Sequence, residues 1–334
     1  MSQVTNGTDV LPVELQMLYG PIVDELRQSE EILQRELSAE HAEVDDMIRH
    51  GCRMGGKRLR PALLLLTAKA AGEIVSAHLT LAAVVEMIHT ATLIHDDVLD
   101  EALLRRHLDT CNQRWDNKSS VLLGDYLFTH AFYLASTLDS TFACRTIGKA
   151  TNTVCEGELR QVRSCDNFEL EETDYLDMIT AKTAALCACA CRLGAFYADS
   201  VPKVVDSFSA YGLNLGIAFQ IIDDLLDIVG CESTVGKSLG TDLNQQKPTL
   251  PLIHVLSHLD AEQRAGIQSE LASPNNDGRD VLAPWFERFH TADYVKQCAA
   301  AFARQAILAL EPIPSSESLE TLRQLPEFVL HRSK

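Results

Sequence analysis

No apolar run in this chain reaches the roughly 18 residues that a membrane-spanning helix needs, since PALLLLTA already stops at Lys69. A protein with no transmembrane segment is therefore expected. The opening stretch, MSQVTNGTDVLPVELQ, has no basic region ahead of an apolar core, so no secretory signal is read from it. Basic charge is not in excess either. Lys and Arg number 29 against 47 Asp and Glu, a net charge of −18, which argues against nucleic acid as a partner. An anionic ligand would have to be held by local basic clusters or by metal. The ten cysteines of the 334 residues lack paired spacing, so no disulfide framework is expected and a reduced, cytoplasmic setting fits. Runs of alternating β-branched residues are also missing, which removes a sheet-based fold.

What remains is helix. VELQMLYGPIVDELRQSEEILQREL repeats apolar residues at three- and four-residue spacing, and LTLAAVVEMIHTATLIHDD is apolar almost all round, as a buried helix should be. Breaks are expected at 51–61, 164–173, 230–248, 273–278 and 312–318, where Gly, Pro, Ser and Asn gather. None of these is long enough to be an interdomain linker. The expectation is one all-α domain over residues 1–334, a single large helical bundle, with residues 1–12 loosely held.

The most unusual stretch is LIHDDVLDEALLRRH, residues 93–107, where an apolar helix ends in Asp96, Asp97, Asp100 and Glu101. Residues four apart share a helix face, and like charges so placed cost about 0.2–0.5 kcal/mol per pair. Acids near a helix C-terminus also oppose its dipole, so a cation should offset them. A second cluster, FQIIDDLLD at 219–227, repeats the spacing with Asp223, Asp224 and Asp227. One such cluster carries little weight; two on separate buried helices point to hard, oxygen-bound Mg²⁺, several ions of which would be held against a diphosphate.

The basic residues agree with that reading. GGKRLRP places Lys57, Arg58 and Arg60 in a glycine-rich turn ahead of a helix, an anion site by its backbone. Arg105 and Arg106 follow the first acidic cluster, Lys182 and Thr183 sit in ITAKTAAL, and Lys237 and Lys247 flank the loop after the second cluster. His89 lies two turns before Asp96, and Gln220 one turn before Asp224, each on the face of its acid. Acids for metal and cations for phosphate imply two diphosphate groups in one pocket.

Taken together, GGKRLRP, the IHTATLIHDDVLD…RR block, GDYLF, GELRQ, the KTA segment, AFQIIDDLLD and the GK…DL…K.TLP loop resemble the all-trans polyprenyl diphosphate synthase family over nearly the whole chain. One departure is His107, where the family usually has Gly. The resemblance implies an isoprenoid-synthase bundle with a central elongated cavity, and usually a homodimer. It implies that Asp96, Asp100 and Asp223, assisted by Asp97, Asp224 and Asp227, hold Mg²⁺ against an allylic diphosphate, with Arg105, Lys182 and Lys237 completing the clamp and Lys247 nearby. Lys57, Arg60, His89 and Arg106 would hold isopentenyl diphosphate, and Thr183 and Gln220 would soften the allylic cation. The released diphosphate takes the final proton, so no protein base is required. A class I terpene cyclase shares the aspartate-rich helix but binds one diphosphate and has no need of GGKRLRP. A non-catalytic partner subunit would be expected to lose acidic motifs that are intact here.

Other features have plainer readings. CACAC at 187–191 has the wrong spacing for a metal site and reads as small buried residues. His95 is open between ligand contact and a hydrogen bond inside the bundle, and Asp125 between helix capping and catalysis. Asp242 is open between support for the nearby lysines and a plain salt bridge. Glu156 and Glu158 read as structural, and ELEETD as a solvated helix start. Product length should be set below the acids, where Ala91 and Thr92 leave room and Phe128 and Phe132 of GDYLFTHAFYLAS offer bulk. One helix turn of about 5.4 Å compares with one isoprene unit, and the resemblance to long-chain members of the family implies a medium-to-long product of about forty carbons. Geranylgeranyl and farnesyl diphosphate synthases are the shorter alternatives.

Overall fold

The computed structural model describes residues 13–53, 56–106, 108–230, 240–273 and 277–332. Expectations for residues 1–12, His107 and Lys237 lie outside them. The described elements run α1 (Val13–Leu18), a 3-10 turn (Gly20–Ile22), α2 (Val23–Glu36), α3 (Ala42–Arg53), α4 (Leu59–Ala71) and α5 (Ser76–Leu99). A two-residue pair, β1 (Leu104–Arg105) and β2 (Leu108–Asp109), is followed by α6 (Cys111–Arg114), α7 (Asn117–Ser136), α8 (Phe142–Ser164) and α9 (Glu172–Ile179). A π turn (Thr180–Ala184) leads into α10 (Ala185–Tyr197), then α11 (Pro202–Val229), α12 (Thr241–Asn244) and α13 (Leu250–Ser257). Last come α14 (Ala261–Leu271), α15 (Gly278–Phe289), α16 (Thr291–Ala309) and α17 (Glu317–His331). The fold is all-α, and among the described residues the only sheet is the antiparallel β1–β2 pair.

Two compact units emerge. The first comprises the described residues up to Gly148 with Cys187–Gly212 and Ala309–Leu325. Its centre is α5, which packs against α2, α4 and α7. That is why α5 is apolar on every side: Leu81, Val84, Val85, Ile88, Ala91 and Ile94 are all fully buried. The run Ala62–Leu66 of α4 is buried likewise. Pro61 falls within the first turn of α4, where a missing N–H costs nothing. The second unit comprises Lys149–Leu186, Leu213–Leu308 and the described residues from Pro326. Its core joins Ile221, Ile222, Leu225 and Ile228 of α11 to Tyr175 and Ile179 of α9, Leu252 and Val255 of α13, and Val295 and Ala299 of α16.

Three sequence expectations are corrected. The helices Ser76–Leu99 and Glu172–Tyr197 are long and apolar enough to cross a membrane by length and composition. About two-thirds of each apolar window is buried inside the fold (67%), so burial in a core accounts for that composition. Arg60 is not in the turn ahead of α4 but in its first turn, because the helix starts at Leu59. Asp125 caps nothing: α7 begins eight residues earlier at Asn117, capped by Asp116, whose Oδ1 accepts the Ser119 N–H at 2.8 Å.

Candidate active site

The first acidic cluster closes α5. Asp100 is the C-cap, and Asp96 stands one turn before it on the same face. Asp97 points the other way and is fully buried. The hairpin after α5 brings Arg105 back over the helix end, where its Nε donates to Asp97 Oδ1 at 2.7 Å. The other carboxylate oxygen of Asp97 is buried with no hydrogen-bond partner. Burial raises the Asp97 pKa, and Arg105 works against that rise. So part of the cation demanded by the sequence is Arg105, paired with an acid rather than standing open to phosphate.

The basic residues of the first unit meet around His89. Gly56 makes this possible, because a Cβ there would lie 2.2 Å from Arg106 Nη2, so the guanidinium passes directly over the glycine. Tyr19 donates to the Lys57 carbonyl at 3.1 Å and pins the same loop. Arg60 keeps a buried Nε with no hydrogen-bond partner. His89 is driven well below the ordinary imidazole range by burial first, then by Arg60, Arg106, Arg105 and Arg58. It is thus a neutral imidazole in a strongly positive surround. Arg58 stands in the turn just ahead of α4, where the sequence reading placed it. Its backbone is left-handed (φ 50°), and its guanidinium is spent on Glu86 at 2.6 Å and Glu30 at 2.9 Å. Arg60 and Arg106 remain close enough to act on His89, and Lys57 lies on the loop that Tyr19 pins.

In the second unit, α11 carries the second acidic cluster. Asp227 is fully buried, and its Oδ2 accepts the backbone N–H of Asp242 at 3.2 Å. Asp224 is nearly buried and accepts from Tyr175 Oη at 2.7 Å and Gln220 Nε2 at 2.6 Å. Burial pushes its pKa up to about 8, with Asp242 adding to the rise and the two hydrogen bonds opposing it. Asp223 is the most open of the three, and Arg332 Nη2 lies 3.2 Å from its Oδ1. Arg332 is itself fixed by the Phe219 carbonyl at 2.8 Å and by the Phe219 ring at 3.8 Å.

Lys182 and Thr183 sit on the π turn, whose extra residue per turn bulges the chain. Gly157 of GELRQ lets this bulge approach α8, since a Cβ there would be 2.7 Å from the Lys182 backbone N. Lys182 Nζ then donates to Glu158 at 2.9 Å and Gln161 at 2.8 Å. Thr183 Oγ1 donates to Gln220 Oε1 at 2.7 Å. Lys247 reaches this neighbourhood through its backbone, N–H to the Asp242 carbonyl at 2.8 Å. Sequence reading missed Tyr175, Arg332, Glu158 and Gln161 as partners of these groups. Only GELRQ, quoted as a motif without a role, carried a signal.

Among the remaining candidates, His95 lies 3.1 Å from the Val121 carbonyl and stacks on Phe128, so its hydrogen bond inside the bundle is made. Ala91 is fully buried, and Thr92 donates to the His89 carbonyl at 2.8 Å. Phe132 turns toward Gly148 of α8, its ring 3.8 Å from where a Cβ there would lie. Cys187, Cys189 and Cys191 are buried free thiols, as the plain reading of CACAC expected.

With this geometry established, the likeness to known proteins is specific. A family profile described as Polyprenyl synthetase matches residues 41–284. Octaprenyl diphosphate synthase of Escherichia coli K12 is 38% identical over 283 residues, covering 84% of this chain and 87% of that protein. All-trans-nonaprenyl-diphosphate synthase (geranyl-diphosphate specific) of Rhodobacter capsulatus is 34% identical over 95% of this chain and 98% of its own length. A crystal structure of polyprenyl synthase from Caulobacter crescentus CB15, complexed with calcium and isoprenyl diphosphate, superposes with a TM-score of 0.90 at 32% identity, covering 96% of this chain and 98% of that one. The chain belongs to the polyprenyl synthetase family and is a prenyltransferase enzyme. Its fold is the all-α isoprenoid synthase fold of these neighbours.

Proposed function

We propose that the enzyme adds isopentenyl diphosphate units to an allylic diphosphate, with Mg²⁺, and releases a medium-to-long all-trans polyprenyl diphosphate of about forty carbons, the length class of its octaprenyl and nonaprenyl relatives. The observation that carries this is the pair of DDxxD clusters, one closing α5 and the other near the end of α11. The donor sets suit the metal. They are carboxylate oxygens only, and among the described residues no three His, Cys, Asp or Glu close into a metal cage. Mg²⁺ needs none, since it keeps waters and takes substrate phosphates alongside one or two carboxylates. Asp96, Asp100 and Asp223 are assigned as its holders. The structure spends Asp97 on Arg105 and Asp224 on Tyr175 and Gln220, which makes them supports. When bound, the metal stabilises the negative charge that builds on a departing diphosphate.

The chain's own residues then divide the work. Lys57, Arg60 and Arg106 bind the diphosphate of isopentenyl diphosphate, and neutral His89 donates a hydrogen bond there. Lys182, held by Glu158 and Gln161, binds the allylic diphosphate. Thr183 and Gln220 present oxygens to the allylic cation. The double bond of isopentenyl diphosphate attacks that cation, a new C–C bond forms, and a proton leaves to the released diphosphate. A long product is supported by the octaprenyl and nonaprenyl names of the relatives. Asp96→Ala and Asp223→Ala are expected to lower kcat by orders of magnitude while circular dichroism stays helical. Near-normal turnover in either variant, or full activity in excess EDTA, would sink the metal assignment.

A further inference from the structure

Three hydrogen bonds in the second unit form one directed chain. Thr183 Oγ1 donates to Gln220 Oε1, Gln220 Nε2 donates to Asp224 Oδ1, and Tyr175 Oη donates to Asp224 Oδ2. The Gln220 amide has two faces, and a hydroxyl such as that of Thr183 can serve either one by donating or accepting. Thr183 therefore does not decide which way the amide points. Asp224 does, because its Oδ1 accepts from Gln220 Nε2 at 2.6 Å and so holds the NH₂ toward itself. What holds Asp224 is Tyr175, which belongs to a different helix, α9. Its ring is 2% exposed and set in the core beside Ile179 and Ile221.

We propose that Tyr175 is a positioning residue for prenyl transfer: by fixing the Asp224 carboxylate it keeps the Gln220 carbonyl oxygen turned toward Thr183. The inference rests on the carbocation chemistry proposed above. An amide that presents its oxygen attracts a developing allylic cation, whereas one that presents its NH₂ repels it. Without the Tyr175 hydroxyl, Asp224 Oδ2 is left buried with no donor, and the carboxylate is free to rotate away from Gln220. The amide then loses the acceptor that set its direction. Neither diphosphate is touched by this change. The loss therefore falls on kcat and not on the KM of either substrate.

The test is a double-mutant cycle of Tyr175→Phe and Gln220→Ala, with kcat and both KM values measured for all four proteins. Tyr175→Phe is expected to lower kcat about tenfold with both KM values nearly unchanged. In the Gln220→Ala background the same substitution should cost nothing further. If the two losses multiply, or if Tyr175→Phe leaves kcat untouched, Tyr175 does not act through Gln220 and the inference falls. Where thermal unfolding shows Tyr175→Phe to be misfolded, Asp224→Asn replaces it, with the same disappearance of effect required beside Gln220→Ala. A wild-type enzyme that makes no polyprenyl diphosphate overturns the chemistry beneath the inference. An active wild type with multiplicative losses overturns the inference alone.

Discussion

His89 shows how far a residue's chemistry departs from its sequence position. Helical spacing places it on the face of Asp96, while the family resemblance groups it with Lys57, Arg60 and Arg106. Burial lowers its pKa most, and four arginines add to that effect, so the pKa falls well below 6.5. Histidine carbon shifts followed by NMR should show it neutral from pH 8 down past pH 6, while exposed histidines titrate in the ordinary range. Because the folded state resists a proton that the unfolded state accepts, stability should decline as pH drops below the unfolded value of about 6.5. Saturating inorganic diphosphate should relieve the part of the depression that the arginines cause and leave the larger part that burial causes. A His89 that titrates normally in the free enzyme would show that the basic cluster does not surround it. Local pairings such as these helix-face relations were legible in the sequence. Partners distant in the chain were not: Tyr175 meets Asp224 across 49 positions and Arg332 meets Asp223 across 109. No spacing rule links such pairs, because they depend on which helices pack together.

At the scale of elements, the helix forecast held wherever apolar periodicity was strong and failed where one local cue stood for a boundary. The Gly-Asp pair of GDYLF resembles a helix start, yet it lies inside α7, where the glycine makes room for the His95 ring. The π turn at Thr180–Ala184 left no periodic trace, since a single inserted residue barely disturbs an apolar pattern. The α5–α7 pair bears on product length. His95 near the end of α5 meets Val121 and Phe128 of α7, and the two helices pack along their lengths, so they run antiparallel. Phe132 then falls opposite the Ile88–Ala91 turn of α5. Ala91→Phe is expected to truncate the product toward fifteen or twenty carbons, and Phe132→Ala to lengthen it without slowing the first condensation. Sizing of dephosphorylated products decides. If Phe132 only fills space beside Gly148, its loss costs about 3–5 kcal/mol of stability and leaves length alone. An unchanged longest product in Ala91→Phe removes this face of α5 from the tunnel.

At the scale of the whole molecule, the net charge is −18. With acids outnumbering bases 47 to 29, arginines gathered beside one histidine, Arg60 and Arg106 among them, stand out against the field of the protein and suit the anion proposed for them. The all-α architecture was readable throughout, because helices buried on most sides must be apolar on most sides. The same property hid the difference between a core helix and a membrane span, which composition alone does not separate. The central claim is chain elongation, and one measurement tests it most directly. Purified enzyme is incubated with farnesyl diphosphate, radiolabelled isopentenyl diphosphate and Mg²⁺, and the dephosphorylated products are sized by chromatography. The expected result is a Mg²⁺-dependent ladder of all-trans alcohols peaking at about forty carbons, as for an octaprenyl product. Release of a cyclic hydrocarbon, or failure to incorporate isopentenyl diphosphate at all, would contradict it.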